Sequence, residues 1–524
     1  MDRERETGPP PADGIRRPTR EEIGDIAARE RFSPDPAALE ELHANVLTML
    51  DLIGRLDTLP QPSPPSPSGG RDPGTPSTPE SDPHRVFIRH CHVAGAAEGP
   101  LAGWRVGLKD NIKVAGVPMT NGSRLIEDYV PRIDAIVVER LLAAGATIVG
   151  KLNMDDWSFS GTGETSAFGC TTNPYDETRS AGGSSSGAGA AVALGLVDLA
   201  LGVDQGGSGR IPASWCGAVS LKATHGLIPT FGLTYLEHTT DFICPTAATV
   251  ERVATALEVL AGDDPRDPQF VRGPIEPRAY SRLMEGGIDG LRVGIVAQST
   301  ETPGLEYDVR EAFESATDRF ARGGAKVETV EVPYWSDART IWNGFITQSL
   351  LAMIDSNLEG VTRKGCCDTD FQEAFAAARA AGGAERFPPV LKTLLVTGRY
   401  LGERHGGVYF SKATNLRHRM RLDMDTVLER FDILLTPTTP MKAFRLLDHA
   451  ATMTDVVRER AASMCHNTYP TNVTGHPSLT LPCARGEGGL PIGLQIIGRT
   501  FDEATVLRAG HAFEGLRGPW RHAG

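Results

Sequence analysis

The sequence predicts an α/β fold, a large mixed β-sheet covered by helices on both faces, with a small α-helical appendage at the N-terminus. Three observations predict it. Short apolar β-like runs alternate with helical patterns through most of the chain, as strands layered with helices require. The chain has 524 residues, enough for one large domain and an appendage. A stretch dominated by Pro, Ser and Gly, residues 59–83, stands between the two parts.

From the start, residues 1–18 are polar and Pro-rich, and Thr19-Arg20-Glu21-Glu22 reads as a capping box opening a short helix. Asp35-Pro36 opens a second one. Its Leu39, Leu42, Val46, Leu50 and Ile53 recur at helical spacing, so one face asks for a partner, either the main domain or a second copy. Such a hairpin is not stable alone. Residues 1–58 are therefore read as a helical extension with a disordered start. Residues 59–83 cannot bury enough apolar surface to offset ordering entropy and are expected as a flexible linker. The main domain is expected over 84–524. Strands are expected at Arg105–Leu108, Thr147–Val149, Arg292–Val296, Lys326–Val332, Ile433–Leu435 and Leu494–Ile497, with helices between them such as Ala135–Ala144 and Val309–Ala321. The apolar run Ala188–Val203 is broken by Asp198 and falls short of the roughly 20 residues of a membrane span, so it is expected as a buried helix. Residues 336–430 read as a mostly helical insertion between two strand groups, close to the active site.

Hydrophobic residues make up 40 % and charged residues 23 %, with 58 glycines, a soluble globular composition rich in turns. The net charge of -13 argues against nucleic acid or an anionic membrane as the partner, because both reward clustered Lys and Arg. A neutral or small molecule fits better. The eight cysteines are scattered with no C-x-x-C pair, which reads as reduced thiols in a cytoplasmic protein. Met1 to Glu6 carries charges of both signs with no apolar run behind it, so no secretory signal is visible.

Three segments could carry chemistry. In Gly107-Leu108-Lys109-Asp110-Asn111 a lysine ends an apolar strand. Most lysines are solvated, but one desolvated at a strand end has the lowered pKa a lysine base needs. Gly182-Gly183-Ser184-Ser185-Ser186-Gly187 is a flexible connector by composition, yet an Ala-rich helix follows it at once, and a turn at a helix N-terminus presents free N–H groups. Asp204-Gln205-Gly206-Gly207-Ser208-Gly209-Arg210 is a tight turn after an apolar run. Its backbone N–H groups at Gln205, Gly206, Gly207 and Ser208 can converge on one oxyanion, or the turn can be purely structural.

Together, Lys109-Asp110-Asn111, Gly182-Gly183-Ser184-Ser185 and Asp204-Gln205-Gly206-Gly207-Ser208 resemble the hallmarks of the amidase signature family. The similarity continues through Gly116-Val117-Pro118, Asn153-Met154-Asp155, Ile211-Pro212-Ala213, Trp215-Cys216-Gly217, Leu434-Leu435-Thr436-Pro437-Thr438 and Thr474-Gly475-His476-Pro477-Ser478, roughly residues 85–517. The resemblance implies Ser208 as nucleophile, Ser184 as a bridging serine behind a cis peptide bond, and Lys109 as base. It implies hydrolysis of a small or medium carboxamide to acid and ammonia, with no metal and no organic cofactor. It also places Leu233, Tyr235 and Asp241 in the substrate pocket, although core packing accounts for them equally well. A homodimer is expected from relatives, with the N-terminal hairpin as its contact. Ser186, Gly209 and Ala223-Thr224-His225 depart from the usual family pattern and bear on substrate preference.

Other readings compete with this one. Gly183-Ser184-Ser185-Ser186-Gly187 also fits G-x-S-x-G, which would make Ser185 an α/β-hydrolase nucleophile, but the required preceding apolar strand is missing. His90-Cys91-His92 with His84 reads as a strand, and Asp155-Asp156 as structural. Within the family, the rival is the amidotransferase subunit that releases ammonia from glutamine, which Met154-Asp155 and Glu164-Thr165-Ser166-Ala167-Phe168-Gly169 resemble. Val117-Pro118-Met119-Thr120-Asn121-Gly122-Ser123, Val396-Thr397-Gly398 and the helical extension resemble stand-alone bacterial amidases. A specialised natural-product or carbamoyl amidase uses the same chemistry, and a binding protein that kept the fold would be marked by loss of a triad member.

Overall fold

The computed structural model describes residues 15–60, 70–269, 278–302, 304–361, 364–447 and 460–523. The chain divides into two compact units, one of residues 1–66 with 376–382, the other of 67–375 with 383–524.

The smaller unit holds α1 (Arg20–Arg29) and α2 (Pro36–Gly54). The capping box forms as the sequence predicts: Glu22 N donates to Thr19 Oγ1 at 3.2 Å and Thr19 N to Glu22 Oε2 at 2.6 Å. Asp35 caps α2 by accepting from Ala37 N and Ala38 N. α1 buries Ile23 and Ala27, whereas no residue of α2 is buried, and Met49 and Leu52 are each 57 % exposed.

The larger unit is built on a mixed sheet of twelve strands. In chain order the strands are β1 (Arg71–Pro76), β2 (Phe87–Ala94), β3 (Arg105–Lys109), β4 (Thr147–Leu152), the short ribbon β5 (Thr172–Asn173) with β6 (Asp176–Ser180), β7 (Leu199–Asp204), β8 (Val219–Lys222), β9 (Phe242–Ala247), β10 (Arg292–Val296), β11 (Lys326–Val330), β12 (Ile433–Pro437), β13 (Ser478–Arg485) and β14 (Pro491–Gly498). Across the large sheet they run β1-β2-β4-β3-β7-β9-β8-β13-β14-β12-β10-β11. β4-β3-β7 and β12-β10-β11 are parallel runs, and the centre between them is antiparallel.

The helices are α3 (Ile136–Ala143), α4 (Ser186–Ala193), α5 (Arg210–Cys216), α6 (Val250–Leu260), α7 (Tyr280–Leu283), α8 (Tyr307–Arg322), α9 (Ala338–Asp355), α10 (Thr369–Ala380), α11 (Pro389–His405), α12 (Val408–Arg430), α13 (Ala461–Met464), α14 (Tyr469–Thr474) and α15 (Glu503–Arg517). Every residue of β7, β9, β12 and β14 is buried. Since side chains alternate across a strand, both faces of the central sheet are covered, which is the predicted α/β arrangement. Residues 336–430 hold α9 to α12 and lie between β11 and β12.

Two expectations are corrected. Of the proposed linker 59–83, residues 61–69 lie outside the described residues, but Arg71–Pro76 is strand β1, antiparallel to β2 from Arg71↔Val93 to Pro76↔Arg89. An edge strand needs partners on one side only, so it tolerates Pro73 and Pro76, and the composition that reads as linker is also edge-strand composition. The run Ala188–Val203 is not one helix. α4 ends at Ala193, Gly195 turns the chain at φ 66°, and Leu199–Asp204 is the fully buried strand β7. Periodicity cannot separate a buried strand from a buried helix in an unbroken apolar run.

Candidate functional site

β3 and β7 are parallel neighbours in register from Val106↔Leu199 to Leu108↔Leu201, so their C-terminal ends emerge side by side. That edge is where an open α/β sheet presents its ligand crevice. β3 delivers Lys109 there, and β7 delivers Asp204 followed by the turn that leads into α5. The turn before α4 reaches the same place. Its Ser185 N donates to Ser208 O at 3.2 Å, tying the two turns together.

Lys109 Nζ donates to Ser184 Oγ at 2.7 Å and lies 3.5 Å from Val203 O. Both side chains are fully buried. Burial pushes the lysine down to about 8, against the opposing fields of Asp155, Asp204 and Asp241. The Gly183–Ser184 peptide is cis, and a Cβ on Gly183 would sit 2.2 Å from Asp155 Oδ2, so glycine is demanded by close approach. Asp155 itself accepts from Gly161 N, Gly163 N and Thr165 N, and so shapes the wall beside the serine turn.

The turn after β7 is organised by the Asp204 carboxylate, which accepts from Gly207 N at 2.8 Å, Gly209 N at 3.1 Å, Asn472 Nδ2 at 2.8 Å and a bidentate Arg210. Arg210 also donates to Thr471, Ser478 and Gln495. Burial pushes the Asp204 carboxyl up, but the Arg210 charge and these hydrogen bonds outweigh it, and the group is held well below the usual carboxylate range. Gly207 has φ 130°, and a Cβ there would meet Thr468 Oγ1 at 2.4 Å. The oxyanion-hole expectation is narrowed by this arrangement. The Gly207 N–H is taken by Asp204, whereas the N–H groups of Gln205, Gly206 and Ser208 have no protein acceptor among the described residues.

A cavity of about 510 Å³ opens at these turns. It is lined by Lys109, Ser184, Gln205, Gly206, Ser208 and Asp241 together with the apolar Phe159, Leu236, Val390, Leu394, Trp342 and Tyr469 and the polar Arg339 and Asn343. The half-buried Ser208 hydroxyl forms no hydrogen bond among the described residues, so its link to Ser184 is open in this conformation; such contacts often tighten only around substrate. Asp241 Oδ2 accepts from Leu236 N and Glu237 N, and burial raises its carboxyl to about 7.

Two pocket expectations are corrected. Leu233 bridges Ile112, and Tyr235 donates its hydroxyl to Thr230 O at 2.9 Å with its ring against His238; both are core residues away from the cavity lining. Ser185 is no competing nucleophile, because its hydroxyl donates to Val203 O and accepts from Val203 N. The sequence alone does not single out Trp342, Arg339 and Asn343 of α9, Val390 and Leu394 of α11, or Tyr469 of α14. For those of α9 and α11 the one sequence-level signal is the placement of the insertion near the site; Tyr469 lies outside the insertion and has none. Among the described residues no group of three or more His, Cys, Asp or Glu stands close enough to hold a metal ion, and no helix is long and apolar enough to cross a membrane.

Comparison with known proteins matches residues 88–507 to the Amidase family. The chain is 42 % identical over 422 residues to an enantioselective amidase of Rhodococcus rhodochrous, covering 79 % of this chain and 80 % of that protein. It is 39 % identical over 433 residues to the A-type subunit of the glutamyl-tRNA(Gln) amidotransferase of Natronomonas pharaonis, covering 82 % of this chain and 99 % of that one. The crystal structure of the corresponding Thermotoga maritima protein superposes with a TM-score of 0.67 at 31 % identity, covering 83 % of this chain and 88 % of the other. With the mixed sheet, the buried Lys109–Ser184 contact and the two glycine-rich turns already in place, these matches make the chain a member of the amidase signature family, an enzyme acting on carbon–nitrogen bonds.

Proposed function

We propose that the protein is a stand-alone serine amidase that converts a carboxamide with an apolar acyl group into its acid and ammonia. The observation that carries this reading is the 2.7 Å contact between Lys109 Nζ and Ser184 Oγ, both wholly buried, in a cavity that Ser208 shares and whose walls are mostly apolar. Neutral Lys109 takes the Ser184 proton as Ser184 takes that of Ser208, and Ser208 Oγ attacks the amide carbon. The N–H groups of Gln205, Gly206 and Ser208 receive the oxyanion. The proton returns through Ser184 to the leaving nitrogen, ammonia departs, and water activated by the same relay releases the acid from Ser208.

A second reading is a glutamine-hydrolysing amidotransferase component of the Natronomonas type. The match to that protein spans 99 % of it, and Arg339 in the cavity wall is a cation of the kind a substrate carboxylate needs. The eight free thiols fit a cytoplasmic setting. A second copy of the chain, meeting the exposed apolar side of α2, is proposed as partner. The test is ammonia release from glutamine, benzamide, an aliphatic amide and a urea derivative by wild type, Ser208→Ala and Lys109→Ala. Turnover of benzamide or the aliphatic amide, sparing glutamine and abolished in both variants, is expected. Turnover of glutamine alone moves the assignment to the amidotransferase, turnover of the urea derivative alone to a carbamoyl amidase, and activity surviving in Ser208→Ala removes the mechanism.

A further inference from the structure

We propose that Trp342 is a positioning residue for the oxyanion-binding turn, through which the helical insertion sets the rate of the chemical step. The inference rests on the assignment of Ser208 as nucleophile and adds to it a residue from a remote part of the chain. The Trp342 indole Nε1 donates to Gln205 O at 3.0 Å. Among the described residues this is the one hydrogen bond that the Gln205 carbonyl accepts.

A trans peptide points its C=O and its N–H in opposite directions, so fixing one end of the plane aims the other. The next peptide along the turn is held at both ends: Gly206 O accepts from Thr468 Oγ1 at 2.6 Å, and Gly207 N donates to Asp204 at 2.8 Å. Its N–H is thereby committed to the protein. The Gln205–Gly206 peptide differs, because Trp342 holds its carbonyl end while its N–H has no protein acceptor among the described residues. Gly206 lines the cavity, so that free N–H belongs to the site. Of the two peptide planes, the one anchored only by Trp342 is the one able to serve an oxyanion.

The anchor is itself well supported. Trp342 is 8 % exposed within a cluster of Ile341, Phe345, Ile346, Ala413 and Met420, drawn from α9 and α12. Its ring lies 5.0 Å from that of Tyr469 at 40°. Trp342 also lines the cavity, so one side chain meets the substrate with its ring and holds the turn with its N–H. A hole aimed in advance lowers the barrier without reorganisation during the reaction, which is the condition for a large electrostatic contribution.

Trp342→Phe keeps a buried aromatic ring and removes the donor. With the best amide from the panel, kcat is expected to fall about tenfold or more, a fraction of the roughly 10²–10³ lost when an oxyanion donor itself is removed. Affinity for the intact amide, measured by calorimetry in the Ser208→Ala background with and without Trp342→Phe, is expected to stay within about threefold, since the ground-state carbonyl draws little on the hole. A boronic acid of the same acyl shape, which forms a tetrahedral anionic adduct on the serine, is expected to lose affinity in parallel with kcat. Thr468→Val, which removes one of two anchors from a peptide not facing the substrate, is expected to lower kcat less than Trp342→Phe. Equal losses of amide and boronate affinity would reduce Trp342 to a pocket wall, and an unchanged kcat would overturn the proposal outright. Activity persisting in Ser208→Ala alone would instead remove the nucleophile assignment, so the two failures are separable.

Discussion

Lys109 gives the site its clearest pH signature. Its buried ammonium is destabilised, so the group titrates near 8 instead of at its ordinary value of 10.5. A base must be neutral, so activity grows as pH rises: kcat/KM is expected to climb about tenfold per unit below pH 8 and to level off above it. A pH–rate profile that is flat between about 6 and 9 would remove Lys109 as the base. Asp241 refines the prediction, because its carboxylate is one of the charges that raise the lysine. Asp241→Asn deletes that charge, so the rising limb is expected to move to lower pH; a limb shifted upward would mean that the carboxylate acts differently. Lys109, Ser184 and Ser208 are legible in the sequence because each sits in a short contiguous motif at the end of a strand or the start of a helix. Trp342 and Tyr469 are not, since they meet the site only through tertiary packing of α9 and α14. Leu233 and Tyr235, placed in the pocket by family position alone, are instead packed in the core, Leu233 bridging Ile112 and Tyr235 bonded to Thr230 O, while Asp241 lines the cavity.

At the scale of elements, the pair Asp204–Arg210 joins the end of β7 to α5, and through Asn472 and Thr471 to α14. The pair is entirely buried. The folded carboxyl of Asp204 lies below its ordinary value, so its contribution to stability is fully present above about pH 4 and is lost only as pH falls through the depressed folded value. At neutral pH the whole contribution is in force. Asp204→Asn leaves the Arg210 guanidinium buried without its counter-charge and is expected to cost about 3–5 kcal/mol. Urea unfolding at neutral pH measures this, and an unchanged midpoint would show that Asn472 and Gln495 suffice to hold Arg210. The same change weakens the acceptor for Gly207 and Gly209, so kcat should fall even where the protein remains folded. Element types are readable where periodicity is clean, as in α8 and α3, or where a cap is explicit, as at Thr19 and Asp35. They are misread where burial on both faces erases periodicity, as in β7, which runs Leu199-Ala200-Leu201-Gly202-Val203-Asp204 without a polar residue before its end.

For the whole molecule, the fold class follows from alternation, but strand order does not, because β3 pairs with β7 and β8 with β13 across long separations that no local pattern records. The edge of the sheet offers a test of where the catalytic unit begins. β1 covers the outer side of β2, and its Arg71 forms a bidentate pair with Asp134 at 2.9 and 2.6 Å, both groups largely buried, while also donating to Ala115 O. A chain starting at Gly70 keeps this strand, and one starting at His84 loses it. The second truncation uncovers a row of β2 backbone groups and leaves the Asp134 carboxylate with the Ala115 N–H but no cation. Breaking such a pair costs about 3 kcal/mol or more, so the His84 chain is expected to melt several degrees lower than the Gly70 chain and to aggregate more readily. The Gly70 chain should retain amide turnover, since every described residue lining the cavity lies beyond residue 70. The comparison also tests the proposed role of α2, whose Met49, Leu52 and Ile53 are exposed, as is Leu56 just beyond it. Sedimentation is expected to show a dimer for the full chain and a monomer for the Gly70 chain. A dimer persisting after the truncation would place the contact on the larger unit, and equal melting of the two truncated chains would return 71–83 to the status of a linker.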